Sequence, residues 1–287
     1  MTQLNKMLNR IFTGIALASF FLILLLFGNG FSIGILFSII AIYGYYEWLS
    51  IYSSSRYNTY FFLLLALFSM ILLLVYHNHF IVLVFVYLSL LIWLMMFLDL
   101  LLNLNIYKRL LSLSSSIVGL VFIVMAWFLF ISLGSTSNTE IFSHSYLLFS
   151  YSELSDLSKY YLFLISIVSL TDMSGYFVGK TIGKNSLCAS ISPKKTIEGF
   201  VGSLIIPLVI FFILFNFFLS MPILISDIIF MVLCCIFCTV GDLSVSVYKR
   251  FHNVKDSGNI LPGHGGILDR LDSYLPTISI LHIWLFL

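Results

Sequence analysis

Apolar runs about 20 residues long follow one another along almost the whole sequence. Hydrophobic residues account for 61% of the 287 positions and charged residues for 9%, whereas soluble domains carry about 25% charged residues. A soluble fold could not bury this much apolar surface, but a helix of about 20 apolar residues is long enough to cross the hydrocarbon core of a bilayer. The sequence therefore predicts an all-α, polytopic integral membrane protein.

Short polar breaks divide the apolar runs into about nine predicted transmembrane helices. The first run follows Lys6 and Arg10, as in a signal peptide, but no small-residue cleavage site comes after it, so we interpret it as a retained helix. The last run has about 15 residues and would reach only about 22 Å. The predicted spans are residues 11–29, 31–50, 60–76, 79–100, 115–134, 160–178, 199–219, 222–241 and 273–287.

The distribution of positive charge predicts the orientation of these spans. If the N-terminus lies in the cytoplasm and nine spans alternate, every lysine and arginine except Lys159 faces the cytoplasm, as the positive-inside rule requires. The C-terminus is then outside, and the loops 179–198 and 242–272 are cytoplasmic. The chain divides into residues 1–159, with about five anchoring spans and an exterior loop, and residues 160–287, a catalytic region with nearly all of the candidate chemistry.

Charge and cysteine content argue against other classes of protein. The formal net charge of +2 is too small to indicate nucleic-acid binding. Cys234, Cys235 and Cys238 lie in the apolar run MVLCCIFC, which has no basic neighbour to favour a thiolate. We interpret them as buried apolar residues, and no disulfide framework is predicted.

Charged residues are concentrated in segment 241–272, although the whole chain has only 12 acidic residues. Asp269 and Asp272 are three residues apart, so a helix would place them on one face. Glycines on both sides of His264 permit tight turns and close approach of the backbone to a ligand. Carboxylates that bind a hard cation often share it with substrate phosphates, so the segment predicts metal-assisted chemistry on a phosphorylated substrate. The charged residues are Asp242, Lys249, Arg250, Lys255, Asp256, Asp269, Arg270 and Asp272.

Two earlier segments add candidate residues. Asp172 lies in or near the end of the sixth predicted span, where a buried acid indicates function; the alternative is an interfacial acid that faces lipid headgroups. In SPKKTIEG, residues 192–199, the adjacent Lys194 and Lys195 and two hydroxyl groups could hold phosphate oxygens. A plain positively charged flank before the seventh span explains that segment equally well.

Other features with a similar appearance are interpreted as structural. SGYFVGKT, residues 174–181, has Ser174 where a phosphate-binding loop requires glycine, and no strand precedes it. Asp99 and Asp227 lie close to span ends without basic or glycine-rich neighbours. We therefore interpret both aspartates as interfacial acids that face lipid headgroups and assign neither to the site.

Residues 246–272, SVYKRFHNVKDSGNILPGHGGILDRLD, closely resemble the signature of phosphatidate cytidylyltransferases, also called CDP-diacylglycerol synthases. That signature runs S-x-apolar-K-R-x4-K-D, then P-x-H-G-G-apolar-x-D-R-apolar-D. Tyr248 stands where an aliphatic residue or Phe is usual, and Gly175 where Ala is expected. The resemblance covers residues 170–272 and includes Asp172, Tyr176 and the SPKKTIEG segment. The matching positions in 246–272 are Ser246, Lys249, Arg250, Lys255, Asp256, Pro262, His264, Gly265, Gly266, Asp269, Arg270 and Asp272.

The resemblance implies a reaction in which CTP and phosphatidic acid give CDP-diacylglycerol and pyrophosphate. It implies Mg²⁺ as cofactor, held best by Asp242 and Asp269, with a second cation such as K⁺ beside it. The expected metal-site residues are Asp172, Asp242, Asp269 and Asp272. The expected catalytic residues are Lys194, Lys195, Lys249, Arg250, Lys255, Asp256, His264 and Arg270. The expected substrate-binding residues are Tyr176, Ser192, Thr196, Gly265 and Gly266.

The same resemblance implies a cellular location and a set of partners for the protein. We expect a multi-pass protein of the inner cell membrane whose partners are CTP, phosphatidic acid and membrane lipid. No nucleic acid is expected as a partner, and a homodimer is left open as an assembly. His264 is expected to donate to a phosphate or to cap a turn, and no role as catalytic base is indicated for it.

Two other functions fit parts of the sequence. An ion- or proton-coupled transporter would use intramembrane acids such as Asp172 as relay sites. Against it, the acids cluster at one cytoplasmic end, and no interrupted helices recur in two matching halves. A CTP-dependent lipid kinase would transfer the γ-phosphoryl group of CTP instead of CMP. Enzymes that consume CDP-diacylglycerol carry a D-G-x2-A-R block, which the sequence lacks.

Overall fold

The computed structural model describes residues 19, 21–25, 27–28, 30–52, 55–136, 156–214, 223–260 and 265–286. Nine helices and one small hairpin are delimited within these ranges. In chain order they are α1 Gly30–Tyr52, α2 Arg56–Val75, α3 His79–Leu102, α4 Ile106–Thr136, α5 Asp156–Thr181, β1 Ser186–Cys188, β2 Ser192–Thr196, α6 Ile197–Ile213, α7 Ile225–Phe251, α8 Leu268–Leu271 and α9 Tyr274–Phe286.

The prediction of an all-α polytopic membrane protein is confirmed. Six of the described helices, α1 to α5 and α7, are long and apolar enough to cross a membrane. Each predicted span from 31–50 onward corresponds to one helix, although α6 and α9, with 17 and 13 residues, are shorter than a full crossing. The first predicted span lies mostly outside the described residues. The number of nine and the orientation therefore stay predictions.

One part of the buried core lies where α1, α4 and α7 meet, and another surrounds α9, which packs against α3, α4, α5 and α7. The Trp48 ring of α1 stacks on the Tyr248 ring of α7 with centroids 3.7 Å apart, and Tyr248 Oη donates to Trp48 O over 2.6 Å. Ser114 interrupts α4 with extended backbone angles, and Trp48 Nε1 donates to Ser115 O there. A buried carbonyl needs a hydrogen-bond partner, and a side chain of α1 supplies it for the Ser115 carbonyl beside this interruption of α4.

Asp99 and Asp227 lie outside the cavity lining described below, but they are 9% and 4% exposed, so both are buried and, contrary to expectation, do not face lipid headgroups. Asp99 accepts hydrogen bonds from Ile106 N and Tyr107 N at the start of α4. Asp227 accepts from Leu224 N at the start of α7. Both carboxylates satisfy backbone amides that a helix start leaves without partners.

Helices α5 and α6 approach each other closely through small residues. A Cβ atom added to Gly199 would lie 2.8 Å from Gly175 O and 3.1 Å from Gly179 Cα, and one added to Gly175 would lie 3.2 Å from Ser203 Cβ. Small residues allow helix backbones in a membrane protein to pack this closely. The rejected phosphate-loop segment 174–181 contains two glycines, Gly175 and Gly179. Both therefore serve helix packing, including Gly175, which stands where Ala is expected.

The two predicted cytoplasmic loops contain more regular structure than expected. Loop 179–198 includes the antiparallel hairpin β1–β2. Helix α7 continues ten residues past its predicted end at 241, because its next three turns bury an apolar face that includes Val245 and Tyr248. Asp242 and Lys249 are thus helical residues. Gly241 does not end the helix; it lets α7 pass close to Asp272 O and Pro276.

Candidate active site

The charged segments converge on one cavity of about 800 Å³ between α5, α6, the hairpin, α7 and the segment before α9. Both Asp242 and Asp269 line it, so the two aspartates that the sequence singled out share one open space. Eleven of the predicted site residues line this cavity: Asp172, Tyr176, Lys194, Lys195, Thr196, Asp242, Lys249, Asp256, Asp269, Arg270 and Asp272.

Asp242 and Lys195 form the first ion pair of the cavity. Lys195 Nζ lies 2.5 Å from Asp242 Oδ2, with both side chains partly accessible, and Ser246 Oγ donates to Asp242 Oδ1 over 3.3 Å. Burial alone would lower the pKa of Lys195, but the carboxylates of Asp242, Asp172 and Asp272 raise it above its ordinary value. Lys195 therefore stays a cation among carboxylates.

Asp269 and Lys249 form a second, more enclosed ion pair. Lys249 Nζ lies 2.6 Å from Asp269 Oδ1, and each side chain is 11% exposed. Asp269 Oδ2 accepts from Ser257 N and Gly266 N, both over 3.0 Å. Burial alone would raise the pKa of Asp269, but Lys249 and these amides outweigh it and hold the pKa below its ordinary value. Asp269 is thus an ionised carboxylate with partners on both oxygens.

Asp172 and Asp272 complete the acidic side of the cavity. Burial, followed by the negative charges of Asp242 and Asp172, raises the pKa of Asp272 well above its ordinary value. Ser273 Oγ donates weakly to both oxygens of Asp172, over 3.4 and 3.5 Å. Three carboxylates close enough to influence one another's ionisation are a place where a positive charge would be stabilised.

The donor chemistry of this cluster fits a hard cation. Carboxylate oxygens are the protein ligands that Mg²⁺ takes, usually one or two of them together with water and substrate phosphates. Within the described ranges, no three His, Cys, Asp or Glu side chains converge closely enough to hold a metal ion by themselves. A cation here would need further oxygens, such as those of a bound polyphosphate.

Two of the predicted substrate-binding residues line the cavity in different ways. Tyr176 is 70% exposed, and Lys180 Nζ lies 5.6 Å from the centre of its ring. Thr196 Oγ1 instead accepts from Gly199 N over 3.1 Å, so its side chain caps the start of α6. The hydroxyl oxygen of Thr196 therefore contributes to folding, and a contact of its O–H group with phosphate stays a prediction.

Several predicted site residues lie away from the cavity. Arg250 Nε donates to Ile191 O over 3.2 Å and Nη1 to Val254 O over 3.1 Å, so Arg250 ties the hairpin turn to the end of α7. Ser192 pairs with Cys188 in the hairpin. The five described residues outside the cavity lining are Ser192, Arg250, Lys255, Gly265 and Gly266. His264 lies outside the described residues.

The two glycines expected to contact substrate make room for a carboxylate instead. Gly265 has φ +83°, and a Cβ atom there would lie 2.7 Å from Asp269 Oδ2. A Cβ atom on Gly266 would overlap Ser257 Oγ. The positive φ of Gly265 favours glycine and leaves space for Asp269, while Gly266 leaves space for Ser257 Oγ and donates its N–H to Asp269.

Two glutamates act where the sequence interpretation assigned no role. Glu198 accepts from Lys184 N, Asn185 N and Asn185 Nδ2, and these hydrogen bonds, first that from Lys184, lower its pKa; it closes the base of the hairpin. Glu47 is buried in α1 and reaches the segment before α8. The rule that singled out Asp172, an acid within an apolar span, would also have found Glu47.

Comparison with known proteins identifies the family of the chain. The model of the cytidylyltransferase family matches residues 8–287. A protein of Staphylococcus haemolyticus (strain JCSC1435) is 45% identical over 143 residues, which cover 48% of this chain and 53% of the relative. One of Bacillus subtilis (strain 168) is 46% identical over 143 residues, 47% of this chain and 52% of the relative. Both are named phosphatidate cytidylyltransferase. The chain thus spans about half the length of the curated relatives it matches, and the family match covers nearly all of it: the chain belongs to the cytidylyltransferase family.

Proposed function

We propose that the protein transfers CMP from CTP to phosphatidic acid, giving CDP-diacylglycerol and pyrophosphate. The observation that carries this proposal is the cavity whose lining brings together five aspartates and five lysine or arginine side chains from α5, the hairpin, α7 and residues 256–272. Both substrates are polyanionic at their reacting ends, and such a cavity suits them. The names of the two bacterial relatives support the same reaction.

The reaction requires little covalent chemistry from the protein. An oxygen of the lipid phosphate attacks the α-phosphorus of CTP, a new P–O bond forms, and the bond to the bridging oxygen of the leaving pyrophosphate breaks. Positioning and neutralisation of charge supply most of the catalysis in such transfers. Lys194 and Arg270 present positive charge to the phosphates at the cavity wall, and Lys195 and Lys249 do so from their ion pairs.

Mg²⁺ fits as the cofactor of this reaction. Asp242, with Asp172 and Asp272 beside it, would hold the ion, which neutralises developing charge on phosphate oxygens when bound. Asp269, the other expected ligand, has partners on both oxygens, so it would have to exchange Lys249 for the cation. A second cation such as K⁺ would add positive charge to the same carboxylates.

The proposal extends to partners and location. CTP would come from the cytoplasm and phosphatidic acid from the adjoining leaflet of the inner cell membrane, where a multi-pass protein with bacterial relatives would reside. No nucleic acid is proposed as a partner, and a homodimer is compatible with the exposed apolar faces of α2 and α3.

An assay with labelled CTP tests the proposed function. Purified protein in detergent would be mixed with phosphatidic acid, Mg²⁺ and CTP radiolabelled at either the α- or the γ-phosphorus. We expect α-label, and no γ-label, in chloroform-soluble lipid. Lipid carrying γ-label would indicate the lipid kinase, and no labelled lipid from either substrate would count against both enzymes and favour a transporter.

Replacing Lys195 with Ala is expected to lower kcat by about 100-fold, as loss of one electrostatic contact to a transition state does. It removes one cation from the cavity and leaves Asp242 without its ion-pair partner. The apparent KM for CTP should rise as well. Lys184→Ala is the matched control, because Lys184 is exposed and does not line the cavity. Unchanged kinetics of Lys195→Ala would instead indicate that this lysine is only part of a positively charged flank before the seventh predicted span.

A further inference from the structure

Glu47 is a buried carboxylate that joins the N-terminal helices to the candidate active site. It lies in α1 and is 3% exposed. Its Oε2 atom accepts from Ser257 Oγ over 2.9 Å and from Leu268 N over 2.8 Å. The partners are 210 and 221 residues away in the sequence, so this contact exists only in the folded bundle.

The two partners of Glu47 mark the two ends of segment 257–268, a name used here for its described residues 257–260 and 265–268. Asp269 binds the same two ends, because its Oδ2 accepts from Ser257 N and Gly266 N. The segment is therefore closed at its base by two carboxylates, one from α1 and one from α8. Lys249 then engages the remaining oxygen of Asp269, so the position of Asp269 depends on how this base is held.

The glycines of the segment match the glutamate in shape. A Cβ atom on Gly258 would overlap Glu47 Oε1, and one on Gly266 would overlap Oε2. Any larger residue at either position would push the segment away from α1. The packing of Gly258 and Gly266 thus holds the segment against this one side chain.

We infer that Glu47 is a positioning residue that closes the base of segment 257–268 and so holds Asp269 and Arg270 at the cavity. The inference rests on the proposed function for its catalytic consequence and on the contacts alone for its structural part. Displacing reacting groups by about 1 Å costs about 100-fold in rate, so a carboxylate distant from substrate can control turnover through Asp269.

The contacts indicate that Glu47 acts as a hydrogen-bond acceptor. Its Oε1 atom is buried and has no hydrogen-bond partner among the described residues, while Oε2 makes both bonds to the segment. A glutamine could put its amide oxygen at the position of Oε2 and its nitrogen at that of Oε1. Glu47→Gln should therefore keep the segment closed, whereas Glu47→Leu, which has no acceptor, should open it.

Hydrogen exchange and kinetics of the purified full chain test this inference together. For Glu47→Leu we expect amide exchange at least about tenfold faster in peptides that cover 257–268. We also expect kcat about 100-fold lower with KM for CTP within about threefold. Glu47→Gln should remain within about threefold of wild type in both measurements. Asp99→Asn is the matched control, a buried acid at a helix start whose exchange should rise only near residues 106 and 107.

A second variant keeps the test decisive if Glu47→Leu does not fold. Ser257→Ala removes one donor to Glu47 and leaves the Ser257 N bond to Asp269 in place. It should raise exchange in the same segment by less than Glu47→Leu, because the Leu268 N bond to Glu47 also remains.

Two results would overturn the inference. They are unchanged exchange in 257–268 for both Glu47→Leu and Ser257→Ala, or a loss of activity for Glu47→Gln as large as for Glu47→Leu. The exchange measurement does not depend on activity. A wild-type protein that makes no cytidine-bearing lipid would therefore refute the proposed function while the positioning by Glu47 is still measured.

Discussion

Asp242→Asn is expected to lower turnover by about 1000-fold or more, the upper range for loss of one electrostatic contact to a transition state. Asp242 lies within α7 and faces the cavity, where its contacts are the ion pair with Lys195 and a weak bond from Ser246. Asparagine has nearly the same shape but lacks the charge that would hold a divalent cation. The helix should stay intact, so the loss should appear in kcat of purified, folded protein.

Two comparisons make this result specific. Asp99→Asn removes a charge from the same bundle at a position that does not line the cavity, and its kcat should remain within about twofold of wild type, as is usual away from a catalytic site. Adding Mn²⁺ in place of Mg²⁺ should not restore Asp242→Asn to normal turnover. Near-normal production of CDP-diacylglycerol by Asp242→Asn would contradict the assignment of Asp242 as a metal ligand.

Asp269→Asn is expected to lower turnover by a similar factor, about 1000-fold, and to destabilise the protein as well. The amide group offers one acceptor, whereas Asp269 accepts from Lys249 on one oxygen and from two backbone amides on the other. The NH2 group of asparagine would then face either Lys249 Nζ or the N–H groups of Ser257 and Gly266, and all of these are donors. Breaking a buried ion pair on one side costs about 3–5 kcal/mol, and thermal unfolding of the detergent-solubilised protein would report this loss.

The contrast between the two aspartates is the informative measurement. We expect Asp242→Asn to leave the unfolding midpoint within about 2 °C of wild type and Asp269→Asn to lower it by about 5 °C or more. Amide exchange near Ser257 and Gly266 should rise only in Asp269→Asn. If both variants lost activity with no change in stability, the segment would not depend on Asp269 for its closure.

Hydropathy and local pattern were sufficient for the fold class. The apolar runs predicted a bundle of membrane helices because a bilayer imposes one length and one polarity on any crossing segment. The places of Asp99 and Asp227 at span ends correctly kept them out of the candidate site, but only the structure showed that both are buried and accept hydrogen bonds from amides at helix starts. The number of crossings and their direction remain predictions.

Helix ends and turns were less predictable. Charge begins at Asp242, which suggested that a loop started there, yet α7 continues to Phe251 because one of its faces remains buried against α1. Arg250 was expected to contact substrate, and it binds the carbonyl groups of Ile191 and Val254 instead. A sequence reports that a cation is present, but the direction of the side chain depends on neighbours from other segments.

The sequence by itself determined that the chain enters a membrane and that a small set of aspartates, lysines and arginines between residues 172 and 272 carries the candidate chemistry. Only the tertiary structure decided which of these residues meet in one cavity, that Lys195 pairs with Asp242 and Lys249 with Asp269, and that Glu47 supports the segment from the other half of the chain. Composition and residue spacing give information only about residues that are close to one another in the sequence. The ion pairs and the Glu47 contacts join residues 20 to 221 positions apart, and the packing of the helices brings them together.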